Sequence, residues 1–278
     1  MSGQKLPPYS VLMSVYAKDK PEHLDAAIAS MARQTVPFRD MVVVCDGPLT
    51  ERLDAVLDEW WWELDGRLNV HRLPENGGLG PALAVGLPLC RCVVVARMDA
   101  DDVSRPDRCR ILLEKMVADD LDLVGGAIEE FDCEPGDMGY VRSVPLKKED
   151  IVMWLKGRNP FNHMSVMFDR HVVEAAGGYQ PFPWMEDYWL WARMIAGGCR
   201  CANVPDVVVD VRTGDGMYAR RSNVAYLKSQ IRFFSKLREL GLIGVKHQVL
   251  AVITRMVATL LPARAVKAVY NGFLRGRV

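Results

Sequence analysis

Short apolar runs alternate along the first half of the chain with stretches whose apolar residues recur every three or four positions. Val11-Leu12-Met13-Ser14-Val15 is the first run, and 21–33 behind it has helical spacing with Pro21 at its start, where the missing N–H costs nothing. Met41-Val42-Val43-Val44 is the second, followed by a helical stretch at 50–64 with Leu53, Val56, Leu57, Trp60 and Leu64 on one face. The pattern then predicts a strand at 68–73, a short helix at 80–89, a strand at 92–97, a helix at 108–118 and a strand at 121–129. Near-continuous β-branched strands alternating with helices belong to parallel sheets covered on both faces.

Beyond residue 130 the texture is less regular. Helices are expected at 145–156, 170–176 and 186–196, and strands at 164–168 and 207–209. Gly177-Gly178 and Gly197-Gly198 are plausible helix stops. From 222 onward the pattern is helical, with Val249, Leu250, Val252, Ile253, Met256, Val257, Leu260 and Leu261 on one face and Lys246, His247, Gln248, Thr254, Arg255 and Thr259 on the other. A basic amphipathic helix of this kind lies in a membrane interface, packs on its own domain, or forms a seam between two copies.

Charge sharpens that choice. The whole chain of 278 residues has zero formal net charge, which gives no nucleic-acid signal. Residues 241–278, however, hold six Lys or Arg and no acid, leaving 29 basic against 35 acidic residues elsewhere, a net of −6. The asymmetry points the tail at an anionic partner, a membrane surface in first place. No stretch of about 18 apolar residues spans a bilayer. The start of the chain has no secretory signal, so the expected location is cytoplasmic, with the seven cysteines mostly reduced and buried.

The chemistry centres on Ala96-Arg97-Met98-Asp99-Ala100-Asp101-Asp102, which leaves the fourth predicted strand. In open α/β sheets ligands bind beyond the carboxyl ends of the strands, and Asp46 occupies the equivalent place after the second strand. Three carboxylates so close repel one another unless a cation lies between them. Hard divalent ions take oxygen ligands, often one or two carboxylates completed by substrate phosphates. Asp99 and Asp101, one small residue apart, fit that use. Three-residue acidic patterns also arise as simple helix caps, so the pattern alone is weak.

The ordered set of segments is more specific. "SVLMSVYAKDKPEHLDAAIASMARQT" (10–35), "VVVCDGP" (42–48), "ENGGLGPALAVGL" (75–87), "ARMDADDVSRPDR" (96–108), "NPFNHMSVMF" (159–168), "EDYWLWARM" (186–194) and "GMYARR" (216–221) resemble the family 2 glycosyltransferases of the bacterial polysaccharide and lipopolysaccharide type. The resemblance runs from about residue 9 to 221. It implies a GT-A fold: a Rossmann-like, mostly parallel sheet flanked by helices. Residues 1–215 would form the catalytic domain, 1–130 binding a nucleotide sugar and 131–215 the acceptor. Residues 216–278 would be the helical extension. The implied activity is an inverting, metal-dependent transfer of one sugar, a hexose such as galactose or glucose from a UDP-sugar. The implied acceptor is a saccharide, polyprenyl-diphosphate-linked or otherwise, at the inner face of the cell membrane.

The same resemblance suggests roles. Asp46 matches the base-contacting aspartate, although Cys45-Asp46-Gly47-Pro48 keeps one carboxylate where many relatives have two. The backbone at Val15 and Tyr16 would line the base pocket, and Asn76 and Gly78 would approach the donor. Asp101, with Asp99, would hold Mn²⁺ or Mg²⁺, and Arg97 would balance the acidic cluster. Asp187 matches the general base, with Glu186 positioning it or the acceptor. His163, Arg220 and Arg221 are candidates for the metal or diphosphate, and Trp184 for stacking on a sugar. A sugar-nucleotide nucleotidyltransferase is the rival enzyme, but Val15-Tyr16-Ala17-Lys18-Asp19 stands where its Gly-rich loop would be. An inactive assembly subunit is the rival non-enzyme, opposed by the intact Asp101 and Asp187.

Overall fold

The computed structural model describes residues 6–213, 224–260 and 276–277. The first half follows the apolar pattern. Strands β1 (Tyr9–Val15), β2 (Asp40–Cys45), β3 (Leu68–Arg72) and β4 (Val94–Asp99) are parallel, in the spatial order β3-β2-β1-β4. Helices α1 (Pro21–Ala32), α2 (Glu51–Glu63) and α3 (Leu79–Gly86) connect them. Successive strand residues face opposite sides. Val11, Met13, Val43, Ala96 and Met98 therefore pack into one core with α1, α2 and α4 (Arg108–Asp119), while Leu12, Val42, Val44 and Val95 pack into a second with α3. Thr50 caps α2 by accepting the Leu53 N–H at 3.3 Å.

After the short strand β5 (Val103–Ser104) and α4, strand β6 (Leu123–Phe131) runs parallel to β4 but does not touch it. Strand β8 (Met167–Asp169) lies between the two, antiparallel to both. The sheet is thus mixed on this side, with β7 (Tyr140–Arg142) antiparallel to β6 and the pair Gly276–Arg277 antiparallel to β7. Strand β9 (Cys201–Arg212) is longer than its Val-rich centre predicts and runs parallel to β6 through a bulged register. Its far end also pairs with β5, fixing the chain just after the acidic loop.

Helices α5 (Lys148–Leu155), α6 (Arg170–Ala175) and α7 (Glu186–Ala196) cover the second core, joined by α8 (Val224–Glu239) and α9 (Val245–Leu260). Phe233 of α8 packs against Phe182 and Tyr188, and Phe234 and Leu237 are buried in the same core. Six of the seven thiols are buried and all are free. Among the described residues no helix is long and apolar enough to cross a membrane. In the Trp60-Trp61-Trp62 run, Trp60 donates to Asp25 at 2.8 Å, while Trp61 and Trp62 are exposed and meet edge to face.

Candidate active site

Two groups of carboxylates meet at the carboxyl end of β4. Asp99 ends the strand, and the turn after it carries Asp101 and Asp102, whose carboxylate oxygens and that of Asp99 lie within 4.8 Å of one another. Asp102 is buried and accepts the Arg212 N–H at 2.9 Å. Asp101 is exposed, and Arg212 Nε donates to its carbonyl at 3.3 Å. Asp102 therefore ties the turn to the end of β9, and Asp99 and Asp101 are the two better placed for a cation. The donor set is all hard oxygen, which suits Mg²⁺ or Mn²⁺ with ligand phosphates completing the shell. Desolvation, then the Asp99 charge, pushes the pKa of Asp101 up to about 6.

Arg97 is the cation of this region. It is 1% exposed, and its Nη2 donates to Asp99 Oδ1 at 2.5 Å. Its Nε and Nη1 find no partner among the described residues. A guanidinium carries five N–H donors, and leaving them unpaired in a protein interior is costly. Its backbone carbonyl accepts from the equally buried Arg108.

The second carboxylate group starts α7. Glu186 and Asp187 occupy its first turn, where the helix macrodipole favours negative charge. Asn159 Nδ2 donates to Asp187 Oδ2 at 2.6 Å. Burial raises the Asp187 pKa, while hydrogen bonds from the Tyr188 backbone and Asn159, and the charge of Arg97, act in the opposite direction. Glu186 is pushed up to about 7 by desolvation and then by the Asp187 charge. Gly80 of α3 makes room for it: a Cβ there would lie 3.2 Å from the Glu186 Cβ.

Asp46 is buried, and its two oxygens accept the N–H groups of Gly77 and Gly78 at 2.8 and 2.9 Å. Asn76 Nδ2 donates to its carbonyl at 3.1 Å. The carboxylate therefore shapes the 76–78 turn, and its oxygens are occupied there. Val15 is buried and Tyr16 half-buried at the mouth of β1. His163 is buried and shares a 2.9 Å hydrogen bond between its Nε2 and Tyr179 Oη; desolvation, then Arg97, hold its pKa well below the usual imidazole range. It is a neutral internal group, without the exposure that a phosphate contact needs. Trp184 is exposed, has a left-handed φ of 63°, and meets Tyr226 edge to face at 6.0 Å. Arg220 and Arg221 lie outside the described residues.

Three residues that the sequence analysis gives no role also belong here. Asp19 accepts the Tyr16 N–H at 2.9 Å and is pushed up to about 7 by desolvation, with Asp101 and Asp99 adding to the rise. Asn159 holds Asp187, and Arg212 holds the acidic turn. The Asn159 and Asp187 motifs were both visible in the sequence, whereas their pairing was not.

Comparison with known proteins places these features in a family. The model for glycosyl transferase family 2 matches residues 10–176. The amylovoran biosynthesis glycosyltransferase AmsE of Erwinia amylovora is 38% identical over 269 residues, covering 96% of this chain and all of that protein. The UDP-Gal:alpha-D-GlcNAc-diphosphoundecaprenol beta-1,3-galactosyltransferase of Escherichia coli is 33% identical over 270 residues, 97% of each chain. Among solved structures, residues 1–349 of Staphylococcus aureus TarS with UDP-GlcNAc superpose with a TM-score of 0.68 at 14% identity, over 96% of this chain and 73% of that one. The mannosyltransferase PcManGT of Pyrobaculum calidifontis, with GDP-Man and Mn²⁺, gives 0.63 at 17% identity, over 96% and 80%.

Proposed function

We propose, because the chain belongs to glycosyltransferase family 2 and is a glycosyltransferase of bacterial polysaccharide biosynthesis, that it transfers one hexose with inversion from a UDP-sugar to a lipid-linked saccharide. The observation that carries this reading is the buried Arg97, which pairs with Asp99 of the Asp99–Asp101 group and whose charge also acts on Glu186 and Asp187. Inversion requires a base on the face of the anomeric carbon opposite the leaving diphosphate, and two separated acidic groups supply that division of labour.

In this proposal residues 1–130 hold the donor and 131–215 the acceptor. The base lies against the Val15 and Tyr16 backbone, with the 76–78 turn shaped by Asp46. Asp99 and Asp101 would hold Mn²⁺ or Mg²⁺, which when bound neutralises charge developing on the departing diphosphate. Asp187 accepts the proton of the acceptor hydroxyl as the new C–O bond acidifies it. Asn159 fixes the orientation of that carboxylate, and Glu186 orients the acceptor. General-base help of this kind contributes about 10²–10⁴-fold. Trp184 offers an aromatic face to a sugar ring. Arg220 and Arg221 are proposed to meet the donor phosphates.

The helical extension is proposed to rest on an anionic membrane. Helix α9 turns Ala251 inward, yet leaves Val245, Val249, Leu250, Ile253 and Met256 exposed. That apolar row belongs to a segment with six basic residues and no acid. Flotation with anionic liposomes tests this part, and a chain that stays with the dense fraction overturns it. For the reaction itself, product NMR tests inversion: a β-linked product from an α-linked UDP-sugar is expected, and an α-linked product overturns it. Asp101→Ala is expected to abolish Mn²⁺-dependent binding of UDP by calorimetry while the fold is kept.

A further inference from the structure

The transfer reading needs an acceptor whose sugar reaches Asp187 while its lipid end stays at a membrane. The segment leaving α5 meets both needs. Asn159, bonded to Asp187, follows Leu155 by four residues, and Lys156 and Arg158 lie between. The Arg158 guanidinium stacks on Trp154, 4.2 Å from the ring centroid. Such stacking fixes the orientation of the planar fork. Arg255 of α9 donates to the Gly157 carbonyl at 2.5 Å, and His247 bonds the Lys156 carbonyl at 3.1 Å. The Tyr188 hydroxyl donates to the Leu155 carbonyl at 2.6 Å, and the charges of Arg255 and Arg158 both act on that hydroxyl. Two guanidinium groups, one from α9 and one from the segment after α5, thus converge beside the residue that follows Asp187, with Lys156 next to them in sequence.

An apolar surface adjoins Trp154, the ring on which Arg158 stacks. Met153, 70% exposed, lines a shallow recess with Trp154, Pro145 and Asp150. Leu146 is exposed nearby in sequence, and α9, the helix that supplies Arg255, carries the exposed Val249, Leu250, Ile253 and Met256. The single acid of the recess, Asp150, lies in the first turn of α5, the end away from Arg158. From Asn159, which holds the base, back through Arg158 to Trp154 and the apolar recess, the chain therefore runs in the order of sugar, diphosphate and hydrocarbon in a lipid-linked saccharide. A neutral glycan acceptor would need neither of the last two.

We propose that Arg158 and Arg255, with Lys156, form the subsite for the diphosphate of a lipid-linked acceptor, its hydrocarbon passing onto the apolar surface of α5 and α9. This rests on the glycosyl-transfer reading. Guanidinium groups suit the role because they bind phosphate oxygens in a bidentate fashion.

The test compares two acceptors, a long-chain alkyl diphospho-N-acetylglucosamine and the matching alkyl glycoside without phosphate. Each is assayed with the full chain, Mn²⁺ and the UDP-, GDP- or dTDP-hexose that raises the melting temperature most. In Arg158→Gln the KM for the diphosphate acceptor should rise about tenfold or more, the size expected for lost charge-assisted hydrogen bonds. Its kcat, its donor KM and its rate on the neutral glycoside should stay within about twofold, and Arg158→Lys should recover part of the loss. Arg255→Gln should behave alike, and Lys156→Gln replaces either variant that fails to fold. A diphosphate KM unchanged in all three variants, or an equal loss on both acceptors, overturns the subsite while leaving the transfer reading intact. A wild-type chain that glycosylates neither acceptor overturns the transfer reading and this inference with it.

Discussion

Asn159 Nδ2 donates to Asp187 Oδ2 at 2.6 Å, joining the loop after α5 to the first turn of α7. The bond favours the charged carboxylate, while desolvation raises its pKa. Asn159→Ala removes the first effect and leaves the second. If Asp187 is the base, the acidic limb of the kcat profile should move to higher pH by about one unit, since a hydrogen bond to a charged group contributes roughly 1.5–3 kcal/mol. On the acidic side of that limb kcat should fall about tenfold. A rate profile measured from pH 5 to 9 decides this, and an unshifted limb removes Asn159 from the mechanism.

Arg97 pairs with Asp99 at a cost to itself, being buried with two nitrogens unpartnered among the described residues. Replacement by Met relieves that cost but leaves Asp99 unpaired beside Asp101 and Asp102. The loss of the partner should prevail, because an uncompensated charge is worse than an imperfect pair. Asp99 keeps 27% side-chain exposure, so the penalty should be about 1–3 kcal/mol at pH 7.5, below the value for a fully buried pair. It should shrink at pH 4, below the raised pKa of Asp101 of about 6, because protonating that neighbour relieves the repulsion on Asp99. Urea unfolding at the two pH values measures both, and a variant as stable as wild type at pH 7.5 would show that the guanidinium is merely tolerated.

How much of this was legible beforehand follows from where the information lies. Strands β1, β2 and β4 could be read because both their faces are buried, which gives each a short apolar run, and β3 because its apolar positions alternate with polar ones. Strand β8 was expected at 164–168 and lies at Met167–Asp169, but its antiparallel place between β4 and β6 could not be read, because three residues leave no periodicity. Strand β9 was seen only at its centre because Pro205 and Asp206 interrupt it with exposed positions. In the site, Asp99, Asp101 and Asp187 stand in compact motifs. The groups that hold them do not. Asn159 lies 28 positions from Asp187, and Arg212 lies 110 from Asp102, distances over which local pattern carries nothing. Asp46 was expected to face a ligand, and the hydrogen bonds that occupy its oxygens come from a turn 31 and 32 residues away.

That turn sets a steric demand on Gly47. Its φ is +85°, and a Cβ would sit 2.7 Å from the Asn76 nitrogen. Gly47→Ala should therefore cost more than the ~1 kcal/mol of left-handed strain alone, and should weaken UDP binding by displacing the turn that Asp46 holds. Gly66→Ala is the control: φ is +74° with nothing within 4 Å of the added carbon. Thermal unfolding and calorimetry on both variants separate strain from collision. Equal losses would mean that the Asn76 backbone gives way freely.

Glu186 offers the last test, since its raised pKa links stability to pH. Desolvation and the Asp187 charge push it up to about 7, against about 4.3 in an unfolded chain. The native state therefore binds the Glu186 proton more tightly than the unfolded state does. Its favourable contribution is fully present below about pH 4 and is lost as pH rises towards 7. Glu186→Gln cannot ionise, so it should melt at a higher temperature than wild type at pH 8, and the advantage should close between pH 7 and pH 4. Turnover should move the other way: if Glu186 orients the acceptor as a carboxylate, kcat/KM of the wild type should rise through pH 7, and the Gln variant should lose that rise. A Gln variant no more stable than wild type at pH 8 would mean that water or the bound acceptor already relieves the charge.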